Sequence, residues 1–438
     1  MRDLTLQAFA TALTDAGIRR AFLAWDAASG TLCASHPLLD PLARLLAEDR
    51  RDFDRHEGIF LQVAPDTGVL QAAFVHRTCR GQGSGGLRFW RYDTMEDFLR
   101  DGLRLSRGMT HKNALAGIWW GGGKGVIARG TGRSEEPEAR RRIFEEYGAF
   151  LSGLNGCYVS AEDAGTVPAD IATVFSASRF VTCIPPALGG SGNPSAPTAR
   201  GVVRGMEAAL AHLGMGTLEG KSVAVQGLGH VGDALIGYLA ERGVRRIVGS
   251  DVSADRVTAL VEKTGGHPNL ELDLRVVERG DDSILAAEAD LLAPCATGGT
   301  LSPRSIPGIQ AKIVCGAANN QLEDPERDDQ LLAERGILYL PDFLVNRMGI
   351  VNCADEAFGS LPCDPRIEAH LGDEWDNSIY NLSLAVLKTA QDSGKTPARL
   401  GLDLAEKRSF DLHPIWGHRG AQIIASLVAG GWAGPEHH

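Results

Sequence analysis

Apolar and polar positions alternate with different rhythms along the chain. Leucines between residues 38 and 46 follow helical spacing and predict a helical N-terminal block, residues 1–55. Two apolar runs, 58–64 and 69–76, flank the turn residues Pro65-Asp-Thr-Gly68 and predict two strands joined by that turn. Helical spacing predicts two further helices, over 95–109 and 136–154.

Beyond the Gly-, Pro- and Ser-rich stretch 185–197, strands alternate with helices. Apolar runs predict strands at 222–226, 246–251, 290–294, 312–316 and 337–341. Such alternation is typical of a mostly parallel sheet that is covered on both faces. After about residue 363 the strands stop and helices return, notably over 379–391.

These patterns predict an α/β fold of two domains. We expect residues 1–184 to form a first α/β domain and residues 185–362 a Rossmann-type, doubly wound domain. Residues 363–438 are predicted to be C-terminal helices that return to the first domain. The length of 438 residues agrees with two domains.

Composition narrows the functional classes. A net charge of −11 argues against nucleic acid and acidic membranes as partners. No apolar run approaches the ~20 residues of a membrane helix, and the N-terminus lacks the apolar core of a signal peptide. Eight scattered cysteines without paired spacing predict free thiols in the cytoplasm and no metal site.

A glycine motif follows the predicted strand 222–226. Gly227-Leu-Gly229-His230-Val231-Gly232 matches G-x-G-x-x-G, with an apolar helix after it. The first glycine makes the turn, the second admits a pyrophosphate, and the third allows close packing of helix on strand. Because a helix N-terminus also favours an anion, the motif predicts a dinucleotide site.

The next strand ends at Asp251, about 20 residues after the motif, where a ribose ligand is expected. A carboxylate there accepts hydrogen bonds from both ribose hydroxyls and repels a 2′-phosphate, so the predicted cofactor is NAD. Arg245 and Arg246 weaken this preference, because a nearby arginine can bind the 2′-phosphate of NADP.

Two lysines stand in apolar, glycine-rich surroundings. Lys112 follows Gly-Met-Thr-His, and Lys124 follows the three glycines 121–123, which predict unusual turns or close approach to a ligand. Burial of Lys124 and repulsion by Lys112 would favour its neutral form, which suits chemistry at a carbonyl or an amine. A phosphate loop is excluded, because Ile118 and Gly125 stand where it needs a glycine and a hydroxyl residue.

Residues 56–360 resemble the glutamate/leucine/phenylalanine/valine dehydrogenase family, and within it the leucine and valine enzymes most. The resemblance rests on motifs in the family's order: Gly85-Gly86-Leu-Arg88, 108–112, 121–124, Ala161-Glu-Asp163-Ala-Gly-Thr, Ser191-Gly-Asn-Pro-Ser-Ala-Pro-Thr198, Ala293-Pro-Cys-Ala296, Gly316-Ala-Ala-Asn319-Asn320-Gln321 and Pro341-Asp342.

The resemblance implies an enzyme that deaminates an L-amino acid to its 2-oxo acid and ammonia, reversibly and with NAD. It implies that Lys112 pairs with the substrate carboxylate, that Lys124 is the catalytic lysine at Cα, and that Asp163 carries protons to and from the nitrogen. The residues alone leave Asp163 open to a second interpretation as a helix cap. Relatives of this kind are oligomers built through the first domain, so a homo-oligomer is predicted. The resemblance also implies that residues 1–184 are the substrate-binding and oligomerisation domain, that 185–362 are the dinucleotide-binding domain, and that a cleft lies between them.

The remaining predicted site positions come from the same resemblance. The substrate-binding positions are Ser84, Gly85, Gly86, Ala161, Asn320, Ile350 and Cys353. The cofactor-binding positions besides the glycine motif and Asp251 are Thr198, Ala296 and Asn319.

The side-chain pocket departs from the family pattern. Ser84 stands where leucine enzymes have a leucine and glutamate enzymes a lysine. Asn346-Arg347-Met348-Gly349 stands where relatives commonly have Asn-Ala-Gly-Gly. Arg347 is interpreted as a loop residue that faces water in preference to the alternative, a contact with the substrate. A polar group in a pocket discriminates between substrates more strongly than a size difference of one methylene does. We therefore expect a substrate other than plain leucine, with a side chain that is larger or partly polar.

Two other functions stay open from the residues alone. A 2-hydroxy-acid dehydrogenase needs a catalytic histidine with an acid and an arginine, and neither His111 nor His230 has such partners nearby in sequence. A non-catalytic, regulatory NAD-binding protein is the other alternative. The presence of Lys112, Lys124 and Asp163 together argues against it.

Overall fold

The computed structural model describes residues 3–130, 136–264, 269–359, 361 and 363–434. The chain divides into two compact units. The first unit comprises the described residues up to Asn193, Cys353–Gly359 and those from Glu406 onwards. The second comprises Pro194–Asn352 and the described residues between Ser360 and Ala405.

Helices and strands alternate through both units. The helices are α1 (Leu6–Asp15), α2 (Asp40–Glu48), α3 (Met95–Ala116), α4 (Pro137–Gly153), α5 (Pro168–Ala177), α6 (Ser195–His212), α7 (His230–Glu241), α8 (Ala254–Thr264), α9 (Pro325–Glu334), α10 (Asp342–Val345), α11 (Met348–Asp355), α12 (Pro365–Leu371), α13 (Ile379–Ser393), α14 (Pro397–Ser409) and α15 (Arg419–Ala429).

The strands of the first unit are β1 (Arg20–Asp26), β2 (Thr31–Ala34), β3 (Gly58–Val63), β4 (Leu70–Arg77), β5 (Gly83–Ser84), β6 (Leu87–Trp90), β7 (Gly121–Ala128) and β8 (Tyr158–Val159). The strands of the second unit are β9 (Ser222–Gln226), β10 (Arg246–Asp251), β11 (Glu271–Val276), β12 (Leu291–Pro294), β13 (Ile313–Val314) and β14 (Leu338–Tyr339).

The first unit is built on one mixed sheet. Its strand order is β2-β1-β3-β4-β7-β5-β8, with β6 also paired to β7. The pairs from β2 to β7 are antiparallel, and β5, β6 and β8 join in parallel. The predicted hairpin at 58–77 is therefore confirmed as β3 and β4, and buried apolar side chains fill the space on both sides of the sheet.

The N-terminal block is not purely helical, so this prediction is corrected. Arg20–Asp26 and Thr31–Ala34 form a hairpin that adds two strands to the edge of the sheet at β3. The apolar run Ala21–Ala24 is buried, and a short turn between Asp26 and Thr31 reverses the chain. A run this short, next to leucines with helical spacing, does not distinguish a strand from a helix.

Helix α3 is longer than the predicted 95–109. Its first turn is capped by Thr94, whose Oγ1 accepts a hydrogen bond from the Asp97 backbone N–H at 3.2 Å. It ends at Gly117, which adopts φ +77°. The segment with Lys112 is consequently helical rather than part of a loop.

The second unit contains a parallel sheet with the order β11-β10-β9-β12-β13-β14. Strand order that reverses at β9 is the doubly wound arrangement that binds nucleotides at the carboxyl ends of its strands. The five predicted strands are present, and β11 is an additional one. Its side chains are exposed or half-buried, which explains why no apolar run marks it.

The units differ from the predicted domain limits. The first long segment ends at Asn193 rather than at residue 184, and most of the predicted C-terminal block belongs to the second unit. Helix α13 packs on α6 there, and a β-carbon at Gly201 would lie 2.9 Å from Ile379 Cδ1. Only the part from Glu406 joins the first unit. Residues 362 and 435–438 of the predicted blocks lie outside the described residues.

Across the described residues, no helix combines the length and the apolar character needed to cross a bilayer.

Candidate active site

The three glycines before Lys124 are extended strand, not a turn. Residues 121–125 lie in β7, and none of them has a positive φ. β-Carbons on Gly121, Gly122 and Gly123 would overlap the Arg77 carbonyl, the Thr110 hydroxyl and the Tyr158 ring, and one on Gly125 would overlap the Tyr147 hydroxyl. Glycine is needed at these positions because neighbouring backbone and side chains come too close for any side chain. This corrects the turn interpretation, while the expected close approach of a ligand stays a prediction.

Lys124 is held in a buried ion pair. Its register partner is Phe74 of β4, and its Nζ donates to Asp163 Oδ2. Asp163 also lies 3.4 Å from Arg88 Nε. The backbone N–H of Asp163 donates to Thr166 Oγ1 at 2.9 Å, while its carboxylate points to the cations. Helix α5 begins only at Pro168, so the cap interpretation of Asp163 is wrong.

Burial and charge shift both members of this pair. Burial lowers the pKa of Lys124, and the Arg88 guanidinium lowers it further while Asp163 opposes the change. Burial alone would raise the pKa of Asp163, but Lys124 and Arg88 together bring it below its usual range. The pair therefore combines a lysine that gives up its proton more readily with a carboxylate that stays ionised.

Arg88 is a site residue that the sequence interpretation used only as part of a motif. Its Nη1 donates to both carboxylate oxygens of Asp101, at 2.8 and 3.0 Å, and Tyr92 donates to the same carboxylate at 2.5 Å. Asp101 and Asp163 both raise the pKa of Arg88 against its burial, so it stays charged. Arg88 is thus a cation beside the Lys124–Asp163 pair that the sequence interpretation, which considered only Lys112 in that role, did not identify.

Lys112 lies on α3, which packs along β7, and only 7% of its surface is exposed. The two lysines are therefore carried by adjacent elements of one unit. A buried ammonium on such a rigid helix is suited to hold an anionic group in a fixed place.

Four of the predicted substrate positions, Ser84, Gly85, Gly86 and Ala161, lie in the same unit as the ion pair. A β-carbon at Gly86 would lie 2.6 Å from Asp163 Cβ, and one at Gly85 would overlap the Gly123 carbonyl. Ser84 is fully buried between Gly122 and Val159, and its hydroxyl has no hydrogen-bond partner among the described residues. Ala161 is buried and accepts a hydrogen bond from Leu87 N at 2.7 Å.

The two downstream pocket positions lie where the chain passes between units. Ile350 belongs to the second unit, whereas Cys353 begins the short segment of the first. Cys353 Sγ lies 2.6 Å from the sulfur of Cys183, a residue that sequence spacing could not connect to it. Arg347 is fully buried and donates to the Asn377 carbonyl, so the prediction that it faces water is wrong.

The glycine motif of the second unit forms the predicted turn. Gly227 adopts φ +90°, and a β-carbon there would lie 2.9 Å from that of Ala296. A β-carbon at Gly232 would overlap the Gly227 carbonyl, which is the close helix–strand contact. Gly229 precedes α7, whose first two residues are His230 and Val231. Around Gly229 only Arg256 Nη1 comes within 4 Å of an added β-carbon, which leaves room for a ligand at the helix N-terminus.

Asp251 lies at the carboxyl end of β10, beside this turn. Its carboxylate accepts from Leu228 N at 2.8 Å and from Ser253 N at 2.9 Å. Arg256 Nη1 lies 3.5 Å from it, and the arginine side chain is 57% exposed. Arg246 begins the strand at its other end, and Arg245 precedes it, roughly 17 Å away for a strand of this length. The arginine that could meet a 2′-phosphate is therefore Arg256.

Other predicted cofactor and substrate positions also lie in the second unit. Asn319 Oδ1 accepts from Asn346 Nδ2 at 3.0 Å, and Asn320 adopts φ +53° with its N–H 3.1 Å from Asp342 Oδ2. Thr198 lies in the first turns of α6, and its hydroxyl donates to the Pro194 carbonyl at 2.8 Å.

His111 lies next to an acid and an arginine in the structure, although its neighbours in the sequence provide neither. Its Nε2 lies 3.2 Å from Glu406, which also pairs with Arg77 at 2.9 Å. Burial lowers the pKa of His111 to about 4, so the ring is neutral at pH 7. This set does not include Lys124 or Asp163, and it joins α3 to the C-terminal segment of the same unit.

Comparisons with known proteins place the chain among amino-acid dehydrogenases. Residues 59–179 match the model described as Glu/Leu/Phe/Val dehydrogenase, dimerisation domain. Residues 189–397 match the model described as Glutamate/Leucine/Phenylalanine/Valine dehydrogenase. The two matches follow the two units in chain order.

Individual relatives agree with these matches. The chain is 42% identical to leucine dehydrogenase of Geobacillus stearothermophilus, over 70% of this chain and 79% of the relative. It is 38% identical to valine dehydrogenase of Streptomyces coelicolor, over 82% and 93%. Among solved structures, L-tryptophan dehydrogenase from Nostoc punctiforme matches with a TM-score of 0.60 and 33% identity, over 81% of this chain and 96% of that one.

Proposed function

The chain belongs to the glutamate/leucine/phenylalanine/valine dehydrogenase family and is an amino-acid dehydrogenase, and we propose that its substrate has a larger or partly polar side chain rather than that of leucine. The reaction is the reversible oxidative deamination of an amino acid. The single observation that carries the proposal is the buried, unpartnered hydroxyl of Ser84.

We assign NAD as the cofactor. The turn at Gly227, the open space at Gly229 and the start of α7 fit a pyrophosphate, and both oxygens of Asp251 keep a lone pair for ribose hydroxyls. When bound, the nicotinamide supplies the hydride acceptor. The Asp251 carboxylate disfavours a 2′-phosphate, and the exposed Arg256 offsets part of that repulsion.

The charged residues of the first unit supply the proton chemistry. Lys112 pairs with the substrate carboxylate. Lys124, whose pKa is lowered by burial, takes a proton from the water that adds at Cα and stabilises the resulting oxyanion when protonated. Asp163 exchanges a proton with the departing amine, and Arg88 holds that carboxylate ionised and in position.

The substrate side chain is inferred from the Ser84 position. A buried hydroxyl without a partner costs about 1–3 kcal/mol, and a polar substrate group that reaches it recovers this cost. Replacement of a leucine by serine also removes bulk. The related tryptophan enzyme, by its name, acts on a much larger side chain than the leucine enzyme does.

A panel of L-amino acids tests this assignment. We expect a larger or partly polar substrate to give a higher kcat/KM than leucine or valine, and Ser84→Leu to shift the preference towards leucine by about 10-fold or more. Ser176→Leu, the same substitution at an exposed position of helix α5 in the same unit, is the matched control. Highest turnover with leucine and valine in the unmodified enzyme would contradict the proposal.

We also infer a homo-oligomer in the cytoplasm. The match to a dimerisation domain supports association through the first unit. The eight cysteines are free thiols, which agrees with a reducing compartment. Measurement of the molar mass by light scattering tests the first inference, and a monomer at micromolar concentration would contradict it.

A further inference from the structure

Residues far apart in sequence meet at one edge of the first unit. Glu57 immediately precedes β3, and its N–H donates to the His76 carbonyl of β4 at 3.1 Å. Cys79 follows β4 by two residues, so its backbone leaves the sheet beside Glu57. His418 precedes α15 and reaches the same place from 339 residues further along the chain.

The side-chain atoms of these three residues converge. His418 Nε2 lies 2.9 Å from Glu57 Oε1 and 3.8 Å from Cys79 Sγ. Within the part of the chain that the structure describes, they form the one set of three His, Cys, Asp or Glu residues whose ligand atoms all lie within 4.8 Å of one another. None of the three belongs to the ion pair at Lys124 or to the glycine motif.

This spacing is close to that of a metal site. Zinc binds sulfur at about 2.3 Å and nitrogen or oxygen at about 2.0–2.2 Å. In a tetrahedral site, these lengths separate neighbouring donors by roughly 3.3–3.6 Å. The observed histidine–thiol distance is already near that range, and the histidine–carboxylate distance needs to lengthen by only a few tenths of an ångström.

The donor types favour one class of cation. A thiol, an imidazole and a carboxylate are the three side-chain ligands that zinc uses, and a sulfur donor disfavours magnesium and calcium. Thiolate and carboxylate together would balance the two positive charges of the ion. Three protein ligands leave the fourth tetrahedral position to water.

Neighbouring groups hold the ligands in place. Glu57 Oε1 accepts from Thr78 N at 2.9 Å, and the Thr78 hydroxyl donates to the other carboxylate oxygen. Gly420 packs so closely on Thr78 that a β-carbon would overlap its side chain. His413 N donates to the Cys79 carbonyl at 2.9 Å. Such outer contacts orient metal ligands, and the 37% exposed His418 leaves a path for the ion.

We propose that Glu57, Cys79 and His418 bind one zinc-class divalent cation, which fastens the segment 411–418 to the sheet of the first unit. The alternative is an ion pair without metal. In that case the imidazole is protonated, because hydrogen bonds with Cys79 and Glu57 raise the pKa of His418 to about 10. The two states differ in whether sulfur is bonded to a metal.

Cobalt(II) reports directly on that bond. The full-length protein, freed of metal with a chelator, is titrated with Co²⁺ and then with Zn²⁺. We expect one equivalent of cobalt to produce the near-ultraviolet absorption of thiolate-to-cobalt charge transfer, and zinc to displace it. Cys79→Ser should lose this absorption and bind zinc at least about tenfold more weakly. Cys33→Ser, which removes an exposed thiol elsewhere in the unit, should keep both properties.

A second variant separates loss of the site from loss of the fold, since Cys79 is buried. His418→Gln changes a partly exposed side chain. Zinc should raise the melting temperature of the unmodified protein and of Cys33→Ser but not of His418→Gln, because an ion that binds only the folded state stabilises it. Absence of the cobalt absorption in the folded unmodified protein, or its persistence in Cys79→Ser, would overturn the proposal and leave the ion pair.

Discussion

The two units hold their proposed functional residues by opposite means. In the first unit, the residues proposed for the proton chemistry are buried side-chain charges, namely Lys124, Asp163 and Arg88, which shift one another's pKa values. In the second unit, the proposed nucleotide positions are mainly backbone: a turn at Gly227, a helix N-terminus and one carboxylate. Both motifs are rich in glycine, yet only the second uses a positive φ.

This difference teaches that glycine serves two separate physical needs. Along β7, the strand is ordinary and its surroundings are too close for side chains. At Gly227, the backbone conformation itself excludes other residues. Substitutions should therefore damage the two units in different measurable quantities, turnover in one case and nucleotide affinity in the other.

The largest effect is expected at Lys124. Lys124→Ala removes the group that we propose takes the proton at Cα, so kcat should fall by about 10²–10⁴-fold. The Kd for NAD should stay nearly unchanged, because the proposed nucleotide positions lie in the other unit. Stopped-flow turnover and calorimetric NAD binding measure the two, with the exposed Lys388→Ala as control. Equal loss of turnover and affinity would contradict the division of labour.

A smaller effect, of the opposite kind, is expected at Gly227. Gly227→Ala forces a β-carbon to 2.9 Å from that of Ala296 at φ +90°. Strain of about 1–3 kcal/mol corresponds to a loss of NAD affinity of about 5–150-fold. Gly237→Ala, in helix α7 that follows this turn but with open space and no positive φ, should bind NAD normally. If both variants bound NAD equally well, the turn would not be the binding element.

The role of buried charge in the first unit can be tested through the pH dependence of kcat/KM in an Arg88 variant. Its positive charge lowers the pKa of Lys124, so Arg88→Gln should raise that pKa. Because the reaction needs the neutral amine, the rise of kcat/KM with pH should move upwards by about one unit. The exposed Arg91→Gln is the control. An unchanged profile at lower overall activity would mean that Arg88 acts only on the fold.

The smallest effect is expected at Arg256, the exposed arginine beside Asp251 in the second unit. Arg256→Ala should lower kcat/KM for NADP by a few-fold and leave that for NAD unchanged, since a surface charge pair contributes about 1 kcal/mol or less. Arg246→Ala, at the other end of β10, should alter neither value. A larger loss with NAD than with NADP would contradict the assignment.

The features that depend on short stretches of neighbouring residues can be predicted from the sequence. The turn at Gly227, the acid at the end of β10 and the roles implied for Lys124 and Asp163 follow from motifs of a few residues with their flanking strands and helices. The parallel sheet follows from apolar runs at regular intervals. An edge strand such as β11, with half-exposed side chains, carries no such mark.

Long-range packing decides what motifs do not reveal. The contacts of Arg88 with Asp101, of Cys183 with Cys353 and of Glu57 with His418 join elements whose approach depends on the whole fold. Arg347 looks like a surface residue in sequence, because an acceptor such as the Asn377 carbonyl, 30 residues further along the chain, is brought to it by the fold. The GGLR motif around Arg88 was a usable signal, and the other pairs have none in sequence.

The glycine strand β7 also bears on how alignments of such enzymes are interpreted. Residues 121–123 and 125 tolerate no β-carbon, so related proteins that keep this packing should be invariant there even if they catalyse nothing. If residues 121–125 are invariant among relatives, the four glycines are then kept because there is no space for a side chain. Only Lys124 is kept for its chemistry. Evolution of a new substrate has to proceed outside this strand, at positions such as Ser84, whose side chain differs from the leucine and lysine expected there in relatives.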